Sequence, residues 1–215
     1  MSIQDLISGY QRFRHTRFPT ARNLYRDLED RGQAPQVMFI ACCDSRVDPA
    51  TIFDTGPGEL FVLRNVANLV PPNSPMAKHQ AMSAALEFAV LHLEVQHIVV
   101  MGHAQCGGAK ALCDGTHEHI PNAEFIASWM NMALPARNRM LLQPHKPEES
   151  LRLLEYCIVQ LSLENLLTYD WIRERFELGK IELHGMHFGI ATGELALLDM
   201  KTGQFHSVPQ ETDTP

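Results

Sequence analysis

Two cysteines and one histidine lie directly after two apolar segments of strand length, and together they form a ligand set suited to a catalytic metal ion. Cys42 ends one apolar run, and His103 and Cys106 follow the next. Short apolar runs of this kind suit strands buried on both faces of a parallel sheet. Because chemistry in such sheets gathers beyond the carboxyl ends of the strands, we expect the three side chains to meet. Two thiolates and an imidazole favour Zn²⁺, and three protein ligands leave a fourth position open.

Asp44 and Arg46 follow Cys42 closely enough to act at the same site, and the sequence leaves two states open for them. In the first state Asp44 is a fourth ligand and closes the site. In the second, Arg46 holds the carboxylate through two parallel hydrogen bonds and leaves the metal open to water. An open zinc lowers the pKa of its water towards about 7 and yields hydroxide as a nucleophile. A strand-end cap or a surface ion pair is the structural alternative for Asp44.

The other cysteines and two further histidines are interpreted as parts of the scaffold. Cys43 should point to the face of the strand opposite the first ligand, as part of the core or of a pocket wall. Cys113 and Cys157 lie in helical surroundings and are assigned to packing. His184 and His187 are an odd number of residues apart on a predicted strand. They should therefore face opposite ways and not share a metal.

Hydrophobic periodicity predicts one α/β domain with a mainly parallel central sheet flanked by helices, because strands and helices alternate along the chain. The last strand should be antiparallel, since only a short hairpin turn precedes it. Residues 1–32 form a helical arm that packs on its own core or on a partner subunit, residues 33–208 form the catalytic core, and 209–215 form a polar tail. The predicted helices are 3–13, 22–30, 48–53, 78–93, 122–142 and 148–177, and the predicted strands are 36–41, 60–64, 97–101, 181–188 and 194–200.

Composition narrows the class of protein and its partners. The 215 residues carry a formal net charge of −7 and are 45% hydrophobic, as expected of one soluble domain. The acidic balance argues against nucleic acid as a partner, which needs a concentrated basic patch. No apolar stretch is long enough to span a membrane, and the start of the chain lacks a signal-peptide pattern. Five cysteines without a paired framework indicate reduced thiols, so the expected location is cytoplasmic.

Three motifs taken together resemble those of the β-class carbonic anhydrases, and the similarity extends from about residue 33 to residue 200. It implies a dimeric α/β protein that hydrates carbon dioxide reversibly to bicarbonate and a proton by a zinc-bound hydroxide. Spacing alone indicates only a zinc-hydroxide enzyme, so the substrate comes from the resemblance. The motifs are Cys42-x-Asp44-Ser45-Arg46, the stretch PGELFVLRNVAN at 57–68, and Gly102-His103-x-x-Cys106-Gly107-Gly108.

Several positions resemble the plant-like branch of that family and predict how substrate is bound. Gln33 matches a glutamine nine residues before the first cysteine ligand, which in that branch reaches the pocket of a partner subunit. Phe61 and Val66 match apolar pocket positions, and Phe88 stands where the branch often has tyrosine. Gly107 completes the predicted substrate-binding set, because a glycine lets the backbone approach the metal. The assembly implied is a homodimer or a higher even-numbered homo-oligomer.

The enterobacterial-like branch has a second, non-catalytic bicarbonate pocket built from a tryptophan, an arginine and a tyrosine. The matching positions here are Phe39, Arg64 and Phe188, so two of the three hydrogen-bonding groups are missing. We therefore expect no strong regulation by bicarbonate. The alternative functions are hydrolysis of carbon disulfide or carbonyl sulfide, which the same fold hosts, and a non-catalytic zinc protein with Asp44 permanently bound.

Overall fold

The computed structural model describes residues 1–74, 80–119, 121 and 123–209. Within them, six strands form one sheet in the order β2-β1-β3-β4-β5-β6. β1 to β4 pair in parallel, and β5 and β6 add antiparallel strands at one side. The predicted α/β class and the antiparallel fifth strand are confirmed. The strands are β1 Val37–Cys42, β2 Leu60–Asn65, β3 His97–His103, β4 Glu182–Phe188, β5 Leu195–Asp199 and β6 Gln204–Ser207.

Helices flank this sheet, and none of those described is long and apolar enough to cross a membrane. A π-helical turn, Phe88–His92, continues directly from α4. The α-helices are α1 Ile3–Thr16, α2 Phe18–Arg31, α3 Pro49–Ile52, α4 Gln80–Glu87, α5 Gly107–Cys113, α6 Ile126–Asn131, α7 Leu134–Leu141, α8 Ser150–Leu166 and α9 Asp170–Glu177.

The central strands are buried on both faces, which explains their nearly continuous apolar sequences. In β1, Met38 and Ile40 point into a core shared with α4, α8 and α9. The residues between and after them, Phe39 and Ala41, point to the opposite face, where Phe53 packs against Phe39 with ring centroids 5.1 Å apart. Side chains alternate in this way along any strand. The alternation therefore also fixes the face to which the side chain of Cys42 points, at the carboxyl edge of the sheet.

The N-terminal arm packs on itself and buries none of its residues within this chain. Phe13, Phe18 and Tyr25 form one small aromatic cluster between α1 and α2. Leu28 of α2 packs so closely on Gly58 that a methyl group there would lie 2.7 Å from it. The structure therefore shows α1 packed on α2, with Leu28 against Gly58, and packing of the arm on a partner subunit stays a prediction.

Differences from the predicted boundaries have local causes. The second helix begins at Phe18 and not at residue 22, because Pro19 lies in its first turn, where a proline needs no hydrogen-bond partner for its nitrogen. Pro135 has the same position in α7, so the single helix predicted over 122–142 is divided into α6 and α7. The short strand β6 was not predicted, because only Phe205 of its residues is apolar and half-buried. The predicted start of α4 at residue 78 and the polar tail from 210 lie outside the described residues.

Candidate metal centre

Cys42, His103 and Cys106 meet at the carboxyl edge of the sheet, as the sequence predicts. Cys42 is the last residue of β1, His103 is the last residue of the neighbouring strand β3, and Cys106 directly precedes α5. Their ligand atoms all lie within 4.8 Å of one another, and all three residues are buried. The two sulfur atoms are 4.0 Å apart. Two parallel strands side by side therefore deliver an N and S₂ donor set to one point.

The donor atoms fit a zinc ion. His103 Nδ1 lies 2.9 Å from the carbonyl oxygen of Ala104, so Nδ1 donates and Nε2 keeps its lone pair. Nε2 is buried and has no hydrogen-bond partner among the described residues, a state that proteins rarely tolerate. Two thiolates about 2.3 Å from one tetrahedral ion would be roughly 3.8 Å apart, close to the separation seen here. A bound ion would satisfy all three groups.

The two thiols share a hydrogen bond that separates their acidities. This contact, in which either thiol can donate, lowers the pKa of Cys42 and raises the pKa of Cys106. One sulfur is therefore ready to bind a cation as a thiolate. The other must release its proton when the metal binds, which couples metal affinity to pH.

Asp44 is held by Arg46 in the second of the two states that the sequence leaves open. Arg46 Nε donates to Asp44 Oδ1 at 2.9 Å, and Arg46 Nη2 donates to Asp44 Oδ2 at 2.6 Å. These hydrogen bonds lower the pKa of Asp44 well below its usual range. Nη2 also donates to the carbonyl oxygen of Gln105 at 3.0 Å, in the loop between His103 and Cys106. Asp44 Oδ2 lies 3.9 Å from His103 Nε2, so the clamped carboxylate borders the ligand set.

Arg64 holds the backbone on which Cys42 and Asp44 stand. Its Nε donates to the carbonyl oxygen of Cys42 at 2.9 Å, and Nη2 donates to that of Asp44 at 2.7 Å. Nη1 pairs with Asp48, whose other carboxylate oxygen accepts from the Thr51 N–H and caps α3. Arg64 therefore acts as a brace between β2 and the turn that carries the site.

Glu155 holds Cys106 and is paired with His187; sequence reasoning missed Glu155 and assigned His187 only to the scaffold. Glu155 Oε1 accepts the backbone N–H of Cys106 at 3.0 Å, and Oε2 lies 2.9 Å from His187 Nε2. Both side chains are buried. A signal was present, because Glu155 is a charged residue in the apolar stretch that begins α8. Its partners, however, are 49 and 32 residues away in the chain.

Replacing Glu155 by alanine is expected to lower the apparent free energy of unfolding by about 2–5 kcal/mol, since it leaves His187 and the Cys106 N–H buried without their acceptor. Urea unfolding of the zinc-loaded protein measures this. Glu164→Ala on the same helix is the control, because its bridge to Arg139 is solvent-exposed and such bridges contribute little. Equal midpoints for the two variants would contradict the supporting role.

The predicted substrate-binding residues fall into two groups. Val66 packs against the cluster that contains Cys42 and Cys106, and Gly107 opens α5 with free space where a side chain would lie. Phe61 and Phe88 instead pair with each other, with ring centroids 5.9 Å apart.

The second group lies away from the ligands of its own chain. Phe61 pairs with Met38 in the parallel ladder, four positions before Cys42 pairs with Asn65. That separation is about 13 Å along the strand. Gln33 is exposed in the segment between α2 and β1. A place in the pocket for Gln33, Phe61 or Phe88 therefore needs a second copy of the chain and stays a prediction.

The scaffold cysteines and histidines are mostly where the sequence puts them. Cys157 is buried and Cys113 half-buried. His184 and His187 face opposite sides of β4, since His187 is buried against Glu155 and His184 contacts His97. Cys43 is exposed, so the core alternative predicted for it is wrong, and a place in a pocket wall stays a prediction. β1 ends at Cys42, so Cys43 is the first residue after the strand.

Comparison with known proteins gives one consistent family. Residues 37–195 match the family model described as carbonic anhydrase. The chain is 36% identical over 207 residues to beta carbonic anhydrase 3 of Arabidopsis thaliana, covering 94% of this chain and 79% of that protein. It is 35% identical over 198 residues to a carbonic anhydrase of Synechococcus elongatus, covering 90% of this chain and 70% of that one.

Solved structures agree with these sequence relatives. The β-carbonic anhydrase CcaA superposes with a TM-score of 0.87 at 32% identity, covering 97% of this chain and 93% of that one. A tetrameric β-carbonic anhydrase of Sordaria macrospora gives a TM-score of 0.78 at 28% identity, with 91% and 96% coverage. Both superpositions cover more than nine tenths of this chain.

Proposed function

Because the chain belongs to the β-class carbonic anhydrases, which are lyases, we propose that it hydrates carbon dioxide reversibly to bicarbonate and a proton with a zinc ion held by Cys42, His103 and Cys106. The observation that carries the zinc assignment is the buried, unpartnered Nε2 of His103 facing two thiols. When bound, zinc supplies a Lewis acid that makes water acidic enough to ionise near neutral pH.

The chain's own residues orient the reacting oxygen. Asp44 is ionised at neutral pH, and Arg46 lowers its pKa further, so its carboxylate is a hydrogen-bond acceptor beside the ligand set. The Asp44 carboxylate accepts a hydrogen bond from the reacting water. This hydrogen bond directs the lone pair of the water oxygen at the carbon of the substrate. Val66 supplies an apolar wall, which suits a non-polar triatomic molecule. Arg46 and Arg64 hold the acceptor and its backbone in place, so little reorganisation is needed during the reaction.

The assay that tests this function is stopped-flow hydration of carbon dioxide by purified protein of known zinc content. We expect the rate to scale with bound zinc. A zinc-loaded protein without hydration activity would refute the proposal. Carbon disulfide and carbonyl sulfide, offered as substrates in parallel, would reveal the alternative hydrolase.

We further propose a homodimer, or a larger even-numbered assembly, in which the N-terminal arm packs on a partner. Ile3, Leu6, Ile7 and Tyr10 form an exposed apolar stripe along α1. Gln33, Phe61 and Phe88 lie away from the three ligand residues of their own chain. In an assembly they could instead line the pocket of a partner subunit. The Sordaria relative is tetrameric, which agrees with an even number. Two thiolate ligands and uniformly free cysteines suit a reducing compartment, so the proposed location is cytoplasmic.

Placing a charge in the exposed stripe is expected to dissociate the assembly. Leu6→Asp puts a carboxylate into the apolar contact surface, and desolvating a charge is costly. Sedimentation velocity at assay concentration should show a smaller species with lower hydration activity. The matched control is Gln4→Asp, which adds the same charge outside the stripe. A wild-type sedimentation coefficient for Leu6→Asp would contradict the role of the arm.

Hydration activity is expected to rise with pH through one ionisation, with the same midpoint with and without added bicarbonate at fixed ionic strength. The reason is that the three groups matched to a bicarbonate pocket cannot form one. Arg64 already donates to two carbonyl oxygens and pairs with Asp48, while Phe39 packs on Phe53. A steep cooperative loss below about pH 8, deepened by bicarbonate and too abrupt for one water ionisation, would contradict this expectation and the plant-like assignment.

A further inference from the structure

A second group of metal-ligating side chains lies at the opposite end of the strands from Cys42, His103 and Cys106. His97 is the first residue of β3, and Glu182 and His184 are the first and third residues of β4. His97 Nδ1 lies 3.2 Å from His184 Nε2. Glu182 Oε2 lies 3.7 Å from each of these two nitrogen atoms. One carboxylate oxygen and two imidazole nitrogens thus converge on one point.

The register of the sheet brings these three side chains together. β3 and β4 are neighbouring parallel strands in which His97 is opposite Glu182, and Val99 is opposite His184. Residues two apart on a strand share a face, so His184 stands on the same face as Glu182 and diagonally across from His97. Backbone hydrogen bonds from Glu182 to Gln96 and from His97 to Gln36 fix this end of both strands. The cluster is therefore built on rigid elements.

The separations are those of a coordination shell. Three ligand atoms about 2.05 Å from one tetrahedral zinc ion would be roughly 3.4 Å from one another. The observed distances of 3.2, 3.7 and 3.7 Å fall around that value without any movement of the backbone. We propose that His97, Glu182 and His184 bind a divalent transition-metal ion, with zinc as the expected occupant, at a site separate from the catalytic centre.

The surroundings suit a cation. Among the described residues, no lysine or arginine forms a salt bridge with Glu182. Its carboxylate instead faces the imidazole rings of His97 and His184. The side chains are 38%, 67% and 36% exposed, so an ion can enter from solvent. Two imidazoles and one carboxylate form a known zinc ligand set with a free fourth position.

A metal at this site would link two neighbouring strands at their amino ends. Because the unfolded chain has no preformed site, binding would stabilise the folded protein in proportion to the logarithm of the free metal concentration. The proposal does not depend on carbonic anhydrase activity. The two sites can be separated experimentally, because they share no residue.

The test is zinc titration of the full-length protein that already holds its tightly bound metal, by calorimetry and by elemental analysis after gel filtration. Wild-type protein should take up one additional zinc per chain. At a free zinc concentration about 100-fold above the dissociation constant, its Tm should rise by about 5 °C or more. His184→Gln should lose both the additional zinc and the rise in Tm. The control is His206→Gln, which removes an exposed histidine of β6 and should keep both.

Glu182→Gln keeps the test decisive if His184→Gln fails to fold, because Glu182 is largely exposed and its replacement leaves both rings in place. We expect it to weaken uptake of the additional zinc at least tenfold. The proposal is overturned if wild-type protein binds no additional zinc. It is also overturned if His184→Gln or Glu182→Gln retains wild-type uptake, since the ion would then bind elsewhere.

Discussion

Replacing Cys42 by serine is expected to give a folded protein with little zinc and a carbon dioxide hydration rate at least about 100-fold below that of the wild type. A serine hydroxyl does not ionise near neutral pH, so it cannot replace the thiolate of Cys42, whose pKa is lowered by the contact with Cys106. Loss of a ligand should cost more than the 10- to 100-fold typical of changes to residues that only support ligands. Elemental analysis and stopped-flow assays measure the two effects.

The neighbouring residue provides a matched control. Cys43 is the next residue in the chain but is exposed and outside the ligand set. Cys43→Ser should therefore keep zinc and activity, whereas Cys106→Ser should reproduce the loss seen in Cys42→Ser. Wild-type zinc content in either ligand variant would refute the assignment of the centre.

The position of the ligand set could be predicted because it depends on local rules. Each apolar run predicts a strand. Parallel strands end at the same edge of the sheet, so the residues that follow the two strands are expected to meet there. The sequence also leaves two states open for Asp44, and both are within reach, since its carboxylate lies next to the three ligand residues and to Arg46. The choice between the two states of Asp44 depends on side-chain packing. That packing joins residues distant in the chain, so no local pattern in the sequence predicts it.

The supports of the site could not be predicted, because their partners are distant in the chain. Glu155 reaches Cys106 from α8, and Arg64 reaches the carbonyl oxygens of Cys42 and Asp44 from the neighbouring strand. Neither contact has a spacing that a pattern could reveal. The pairing of His97 with His184 depends likewise on the register of β3 and β4, although the alternation rule did correctly separate His184 from His187.

Replacing Arg46 by alanine is expected to keep zinc but to lower the hydration rate about 100-fold or more. Arg46 makes two side-chain hydrogen bonds to Asp44, and its backbone N–H makes a third at 3.0 Å. Without the guanidinium, the carboxylate is free to turn towards the ligand set, whose His103 Nε2 is already only 3.9 Å from Asp44 Oδ2. An anionic fourth ligand would then exclude the reacting water from the open position.

The loss of hydration rate in Arg46→Ala should be the same from about pH 6 to about pH 9. Arg46 lowers the pKa of Asp44, so the stabilisation from this pair is complete above the ordinary carboxyl pKa of about 3.9 and is lost only as the pH falls through the lower folded value. Asp44 is therefore charged throughout the assay range, with or without its clamp. A defect that disappears at one end of this range would indicate a different cause.

Arg46→Lys is the informative second variant, because it keeps the positive charge but lacks the planar fork that holds both carboxylate oxygens and the carbonyl oxygen of Gln105. If only charge matters, lysine should restore most of the rate. If the geometry of the clamp keeps Asp44 away from the metal, lysine should restore little, and X-ray absorption should detect a carboxylate oxygen at zinc in the alanine variant. Near-normal hydration by Arg46→Ala with zinc retained would show that Asp44 needs no clamp to stay off the metal.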